Sequence, residues 1–297
     1  MYYEQGKTQN EIAAFLKVSR PLVSRYLDEA RQCGIVHIQV NNPLETNNVL
    51  ASRLYNFFDI HGTRTVVGSL NSNDTNRSIA GATIGFLENA KPHNLSIGWG
   101  SIIGDIVNEI EGLDSFQCNA KNVAPLVGNS GVFNKNYHSS ELVRVLSQKM
   151  NAVPHYWYAP AFVESQQEAE QLRSLENYRD VCGIWNKLDV AVVNIGNYPS
   201  VPDFATGARY GDKLKSEKAV GRLLCYYFNQ QGKIIQGEGD STMQIPIETL
   251  IKARCVLGVA ASNVKPRALL GALNTGVFTH LVAAELLVQE TLKLRQG

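Results

Sequence analysis

Arg20 and Arg25 are the residues of this chain best suited to reading a base edge, because a guanidinium pairs bidentately with guanine in the major groove. Their setting is Ser19-Arg20-Pro21-Leu22-Val23-Ser24-Arg25, in which Ser24, or the amino end of a helix capped by Ser19, supplies a phosphate contact. A second chemical signal is Gly98-Trp99-Gly100-Ser101. It follows the apolar run Leu95-Ser96-Ile97 and precedes a helical pattern, so backbone amides and a helix amino end stand where an anion can sit. Gly128-Asn129-Ser130-Gly131 follows another apolar run in the same way. Asp105 and Asp240 are the carboxylates available for general-base work, but neither lies in a catalytic signature. His61, His93, His138, His155 and His280 fall in no metal spacing, and Cys33, Cys118, Cys182, Cys225 and Cys255 form no C-x-x-C pair. No metal and no cofactor are expected, and the thiols are read as reduced.

The elements that position these groups follow from periodicity. Thr8-Gln9-Asn10-Glu11 has the capping-box spacing and predicts a helix start, with Ile12, Ala13 and Leu16 on one face. Ser19 begins a second helix whose apolar stripe is Val23, Tyr26, Leu27 and Ala30, ending at Gly34. Ala13 serves as the small crossing residue, Lys17-Val18-Ser19 as the turn and Val23 as the lock, so Ser19, Arg20, Pro21, Leu22, Ser24 and Arg25 are the expected DNA-facing residues. Lys17 occupies the turn position where glycine is common, and a positive φ there costs on the order of 1 kcal/mol. Ile35 to Val40 alternates as a wing strand would, and Asn41-Asn42-Pro43 breaks it. Spacing alone equally allows an ordinary helical hairpin for residues 8 to 33, and a plain strand-to-helix turn at Gly98 to Ser101.

Beyond residue 44, strand-like runs alternate with helical stretches. The strands are Thr65 to Val67, Leu95 to Ile97, Asn122 to Val127, Val153 to Tyr158, Asp189 to Ile195, Gly221 to Phe228 and Arg254 to Ala260. Helices are expected at Ser78 to Asn89, Ile102 to Ile110, Ser139 to Lys149, Gln166 to Leu175 and Pro266 to Leu273. That alternation predicts an α/β protein with a mainly parallel, Rossmann-like sheet covered on both faces. The expected domains are 1–42, a winged helix-turn-helix, and 44–297, a larger α/β domain. With 297 residues, 44% hydrophobic and 19% charged, the composition is that of a globular protein. No apolar run reaches membrane-spanning length and no signal peptide is read at the start, so a cytoplasmic protein is expected. The net charge is only +1, and residues 1 to 42 carry five basic against four acidic side chains, so DNA affinity must rest on where Arg20 and Arg25 lie.

The landmarks Tyr2-Tyr3, Thr8-Gln9, Ile12-Ala13, Ser19-Arg20-Pro21, Val23-Ser24-Arg25 and Gly34-Ile35-Val36 resemble the head of SorC/DeoR-type sugar-responsive regulators. The likeness continues through Ser96-Ile97-Gly98-Trp99-Gly100, Leu126-Val127-Gly128, Ala159-Pro160-Ala161, Asp189-Val190-Ala191, Lys218-Ala219-Val220-Gly221 and Gly258 to Leu287. Heads of that family begin with about one more helix, so Met1-Tyr2-Tyr3 looks like the end of one. The resemblance implies a domain related to sugar-phosphate isomerases and deaminases, a phosphorylated sugar as effector, double-stranded operator DNA as partner and a tetramer. It implies that Lys265 meets the effector phosphate, and that the loops at Gly98 to Ser101 and Gly128 to Gly131 share its pocket. Two acidic positions of the family are lost, one as Arg222 after Ala219-Val220-Gly221 and one in Ala283-Ala284. Arg222 implies either a second anionic group on the ligand or a pocket that no longer takes a simple sugar phosphate. A sugar-phosphate isomerase or deaminase activity remains the alternative function, and an oligomerisation protein with a vestigial pocket a third.

Overall fold

The computed structural model describes residues 1–33, 35–36, 48–199, 209–237 and 242–296. The chain divides into two compact units, Met1–Glu45 and Thr46–Gly297.

In the first unit, α1 (Tyr2–Gln5) precedes α2 (Gln9–Leu16) and α3 (Arg20–Gln32). The expected capping box is formed: the Thr8 hydroxyl accepts from the Glu11 amide, and the Glu11 carboxylate accepts from the Thr8 amide at 2.7 Å. Lys17 ends α2 in the left-handed region, at φ 54°, with no glycine to relieve it. Ser19 stands at the N-cap of α3, but its side chain makes no capping hydrogen bond, which corrects its expected role. Ile12, Ala13 and Val23 form the buried contact between α2 and α3. Leu16 and Tyr26 are half exposed and so leave the expected core. Gly34 and the wing residues His37 to Val40 lie outside the described residues.

Among the described residues, the second unit is built on a ten-stranded sheet. Its strands are β1 (Gly62–Val66), β2 (Asn94–Ile97), β3 (Asn122–Pro125), β4 (Val153–Pro154), β5 (Val190–Asn197), β6 (Ala219–Leu223), β7 (Tyr226–Asn229), β8 (Ile234–Ile235), β9 (Cys255–Ala260) and β10 (His280–Ala284). Seven strands run parallel in the order β1-β10-β9-β5-β2-β3-β4, and β6, β7 and β8 form an antiparallel extension from β5. The helices are α4 (Asn48–Phe58), α5 (Ser72–Ala90), α6 (Ser101–Gly112), α7 (Ser139–Met150), α8 (Gln166–Ser174), α9 (Glu176–Trp185), α10 (Lys213–Ser216), α11 (Ile247–Leu250), α12 (Pro266–Asn274) and α13 (Glu285–Gln296). Leu95, Ile97, Val190 to Val193 and Val256 to Ala260 are apolar at nearly every position because these central strands are covered on both faces.

Two expectations change in detail. Gly221 to Phe228 is not one strand but β6 and β7, split at Leu224, whose φ of 48° turns the chain back on itself. Val153 to Tyr158 contributes only Val153–Pro154 as strand, although the His155 amide still donates to Val123 O at 2.8 Å.

The order of the strands fixes the switch point of the sheet. From β2 the chain builds outward to β3 and β4, whereas β5, β9 and β10 build the other way, so the direction reverses between β2 and β5. Right-handed crossovers running in opposite directions place α6, after β2, and α12, after β9, on opposite faces. The carboxyl ends of β2 and β5 therefore flank the switch point at which open α/β sheets bind ligands.

Candidate functional site

β2 leaves the edge of β5 early. The Gly98 amide still donates to Val192 O at 2.9 Å, and beyond it β6 takes over that edge, pairing Leu223 with Ile195 and Arg222 with Gly196. The chain turns through Gly100, at φ 121°, which serves as the N-cap of α6. A side chain there would strike Asn194, whose Nδ2 lies 2.9 Å from where a Cβ would stand. Glycine is needed at 100 for both its φ and this approach. Asn136 secures the turn from outside, its carbonyl accepting from the Gly100 amide at 2.9 Å. Ser101 is exposed, and its hydroxyl lies 3.3 Å from the Tyr137 hydroxyl. Trp99 is fully buried, with its ring centroid 6.3 Å from that of Tyr137 and 6.4 Å from that of Phe162. Its side chain therefore anchors the loop in the core instead of lining an open site.

The Gly98 and Gly100 amides are thus already engaged, and α6 has no side-chain cap on its first turn. The donors left for an anion are those of that first turn, reinforced by the helix dipole.

The second expected loop is built differently. The amides of Gly128, Asn129 and Ser130 donate to the carbonyls of Met243, Ala159 and Tyr137 at 2.8, 2.9 and 3.1 Å. The Asn129 side chain accepts from the Ser140 amide at 3.1 Å and donates to the Ser140 hydroxyl at 3.1 Å. A Cβ at Gly128 would stand 2.6 Å from Ala159 O, so the glycine there serves a close crossing of backbones. Ser130 is buried and its hydroxyl accepts from the Val132 amide, leaving Gly131 as the exposed member of the four. This loop ties β3 to the start of α7, and its first three amides do not form the expected anion cradle.

At the other side of the switch point, Lys265 is exposed and occupies the N-cap of α12, with Pro266 opening the helix. Its amide donates to Asn197 Oδ1 at 2.8 Å, and Asn197 Nδ2 donates to Asn263 O at 2.9 Å. Asn197, at the end of β5, thus clamps the loop that carries Lys265. Arg222 is buried, packed with its Cγ 3.2 Å from the Cβ position of Gly196, and donates from Nη1 to Leu224 O at 3.1 Å. Leu224 in turn packs on Gly98, its Cδ2 2.9 Å from the Cβ position there. Arg222 is therefore joined to the Gly98 loop through Leu224.

β5 organises the whole arrangement. Asn194 and Asn197 are separated by an odd number of positions, so they face opposite sides of the sheet, one against α6 and the other toward α12. Neither was singled out from sequence, because an asparagine inside an apolar run gives no signal of the loops it will meet. Arg209 is another unforeseen neighbour: its guanidinium lies 4.6 Å from the Phe162 ring centroid, and Phe162 packs on Trp99.

Among the DNA-facing candidates, Ser19, Arg20, Pro21 and Arg25 are exposed, and Leu22 and Ser24 are partly buried. An apolar groove of about 530 Å³ on the same unit is lined by Tyr2, Tyr3, Leu16, Tyr26 and Ile35 among others. Asp105, half buried on α6, has a carboxyl pushed up by desolvation and by the nearby Glu109. Asp240 lies outside the described residues. No group of three or more metal-binding side chains occurs among the described residues, and no helix among them is long and apolar enough to cross a membrane.

Residues 42–293 match the family described as "Putative sugar-binding domain". The chain is 26% identical to the sorbitol operon regulator of Klebsiella pneumoniae, over 97% of this chain and 95% of that protein. It is 27% identical to the transcriptional regulator LsrR of Klebsiella pneumoniae subsp. pneumoniae, over 99% of this chain and 90% of that protein. The crystal structure of the full-length sorbitol operon regulator SorC from Klebsiella pneumoniae superposes with a TM-score of 0.75 at 22% identity, covering 98% of this chain and 95% of that one.

Proposed function

Because the chain belongs to the SorC/DeoR-type family of sugar-binding transcriptional regulators, we propose that it binds operator DNA through α2 and α3 and is controlled by a phosphorylated sugar held at the β2–β5 switch point. The observation that carries this reading is that β5 is tied to both the uncapped amino end of α6, through Asn194 against Gly100, and the amino end of α12, through Asn197, with Lys265 at its cap. Two helix dipoles and a lysine are complementary to a phosphate dianion. In this reading the first turn of α6 and Lys265 hold the phosphate. Gly98, Gly100 and Ser101 shape the first wall with Trp99 anchoring it from the core, Gly128, Asn129, Ser130 and Gly131 brace the second, and Arg222 adds positive potential.

On the DNA side, Arg20 and Arg25 meet bases or phosphates, and Ser19, Pro21, Leu22 and Ser24 complete the contact surface. One recognition helix reads few base pairs, which favours a homo-oligomer, and the family implies a tetramer. Residues 1–42 are the proposed DNA-binding domain and 44–297 the effector and oligomerisation domain, in a cytoplasmic protein. Relatives with these names are regulators, so a regulatory role is proposed for this chain in place of an enzymatic one.

Screening phosphorylated sugars by thermal shift tests the effector half of the proposal. A ligand at a hundred times its dissociation constant adds about 2.7 kcal/mol of stability. Stabilisation by the phosphorylated sugars and not by the free sugars is expected. The absence of any shift across pentose, hexose and polyol phosphates would overturn it.

A further inference from the structure

Buried polar atoms in folded proteins nearly always have a partner, so one that lacks it demands an account. Asn194 is 8% exposed, and its Oδ1 has no hydrogen-bond partner among the described residues. The amide is not buried at random. It lies against Gly100, the N-cap of the twelve-residue helix α6, with Nδ2 and Cγ at 2.9 and 3.3 Å from the Cβ position. It stands within β5, three residues before the end of the strand that borders the point where the sheet reverses direction.

The two features ask for different chemistry. The first turn of α6 offers donors and a positive potential, which suit an anion. The Asn194 oxygen is an acceptor, repels anionic oxygens and needs a donor such as a hydroxyl. One ligand satisfies both if it carries a phosphate and, a short distance along its skeleton, a free hydroxyl.

We propose that Asn194 is a specificity-determining contact, accepting a hydrogen bond from a hydroxyl of a polyhydroxylated phosphate ester whose phosphate lies at the amino end of α6. This inference rests on the effector-site reading above. It adds that the site tells a polyol or sugar phosphate from a simple phosphate monoester. A site built around a polar group rejects an analogue lacking the matching hydroxyl, because the group is then left unpaired.

The test is calorimetric titration of the full chain and of Asn194→Ala with two probes, methyl phosphate and glucitol 6-phosphate. The wild type is expected to bind glucitol 6-phosphate more tightly than methyl phosphate. Asn194→Ala should lose roughly five- to tenfold toward glucitol 6-phosphate and stay within about twofold toward methyl phosphate, the size of one neutral hydrogen bond. An equal loss toward both probes would show that Asn194 only props the Gly100 turn, and no loss toward either would show that it makes no contact; each overturns the inference while leaving the effector site standing. Should glucitol 6-phosphate not bind the wild type, the sugar or polyol phosphate that stabilises it most in the thermal-shift screen replaces it as the probe; the absence of any such phosphate removes the effector site and this inference with it. Should Asn194→Ala not fold, the wild type titrated with 5-deoxyglucitol 6-phosphate and its other monodeoxy analogues provides the same comparison from the ligand side. One analogue must then lose five- to tenfold, and uniform affinity across the set overturns the inference.

Discussion

The backbone amide of Lys265 donates to the side-chain oxygen of Asn197 at 2.8 Å, joining the amino end of α12 to the carboxyl end of β5. The lysine's place at the switch point thus depends on a residue 68 positions away in sequence. Asn197→Ala should free the loop of Asn263 to Lys265 and lower effector affinity severalfold. The cost in fold stability should stay near 1 kcal/mol, because the bonds lost are partly exposed. Parallel calorimetric titration and thermal melts check this; a full loss of stability with unchanged affinity would make Asn197 a purely structural clamp.

Lys265→Ala removes a charge and no core contact, since the side chain is exposed at a helix cap. It should fold normally and still bind operator DNA, but bind the effector ten- to a hundredfold more weakly, corresponding to about 1.5–3 kcal/mol for a charge-assisted hydrogen bond. Titration with the best ligand from the thermal-shift screen provides the measurement. Wild-type affinity would move the phosphate elsewhere.

Gly128→Ala separates scaffold from ligand contact. A Cβ there meets the carbonyl oxygens of Ala159 and Pro160 at 2.6 and 2.7 Å, and backbone cannot swing aside as a flexible side chain does. The substitution should destabilise the domain by about 1–3 kcal/mol, as overpacking does. Denaturant melts read the effect, and an unchanged midpoint would mean that the β3 loop is looser than its hydrogen bonds indicate.

His280 gives the fold a pH dependence. Burial, aided by the positive potential of His61, holds its imidazole below the ordinary histidine range, and Nδ1 lies 2.9 Å from the Thr279 hydroxyl and 3.3 Å from Cys255 Sγ. A group whose folded pKa is depressed binds more protons when unfolded. The stability it contributes is therefore complete above the unfolded value of about 6.5 and is lost as pH falls toward the folded one. Melting temperature should drop on acidification through that window, and His280→Gln should flatten the profile there. An equal slope in the variant would assign the dependence to other groups.

The sequence made the frame legible where local signals agree. Thr8 and Glu11 announced the capping box that forms, and the apolar runs at Leu95, Val190 and Val256 announced buried parallel strands, because a strand covered on both faces has no polar alternation to disguise it. β10 escaped notice because His280 to Ala284 runs into α13 with no glycine or proline between them. Leu224 took a left-handed turn that its residue type does not advertise, so one apparent strand became a hairpin. At the site, glycine spacing pointed to Gly98 and Gly100, yet it could not show that their amides are spent on Val192 and Asn136. Nor could it place Asn194 and Asn197, whose partners lie across the sheet and become visible only with the strand order.

The proposed DNA-reading surface includes Arg25, exposed on α3 two residues from the buried Val23. Arg25→Ala should weaken specific binding by about 1–3 kcal/mol, with the loss confined to particular base positions if the contact is to guanine. Anisotropy titrations against single-base variants of the bound duplex resolve that pattern; unchanged affinity would remove Arg25 from the interface.

The most direct measurement of the central claim is anisotropy of a duplex that the protein itself enriches from a random library, titrated between roughly 50 and 200 mM salt with and without the phosphorylated sugar found by thermal shift. The account predicts sequence-specific binding that falls steeply with salt and whose affinity changes when that sugar phosphate is added to the wild type but not to Lys265→Ala. Enrichment of no sequence, or DNA binding indifferent to a sugar phosphate that demonstrably binds the protein, would contradict it.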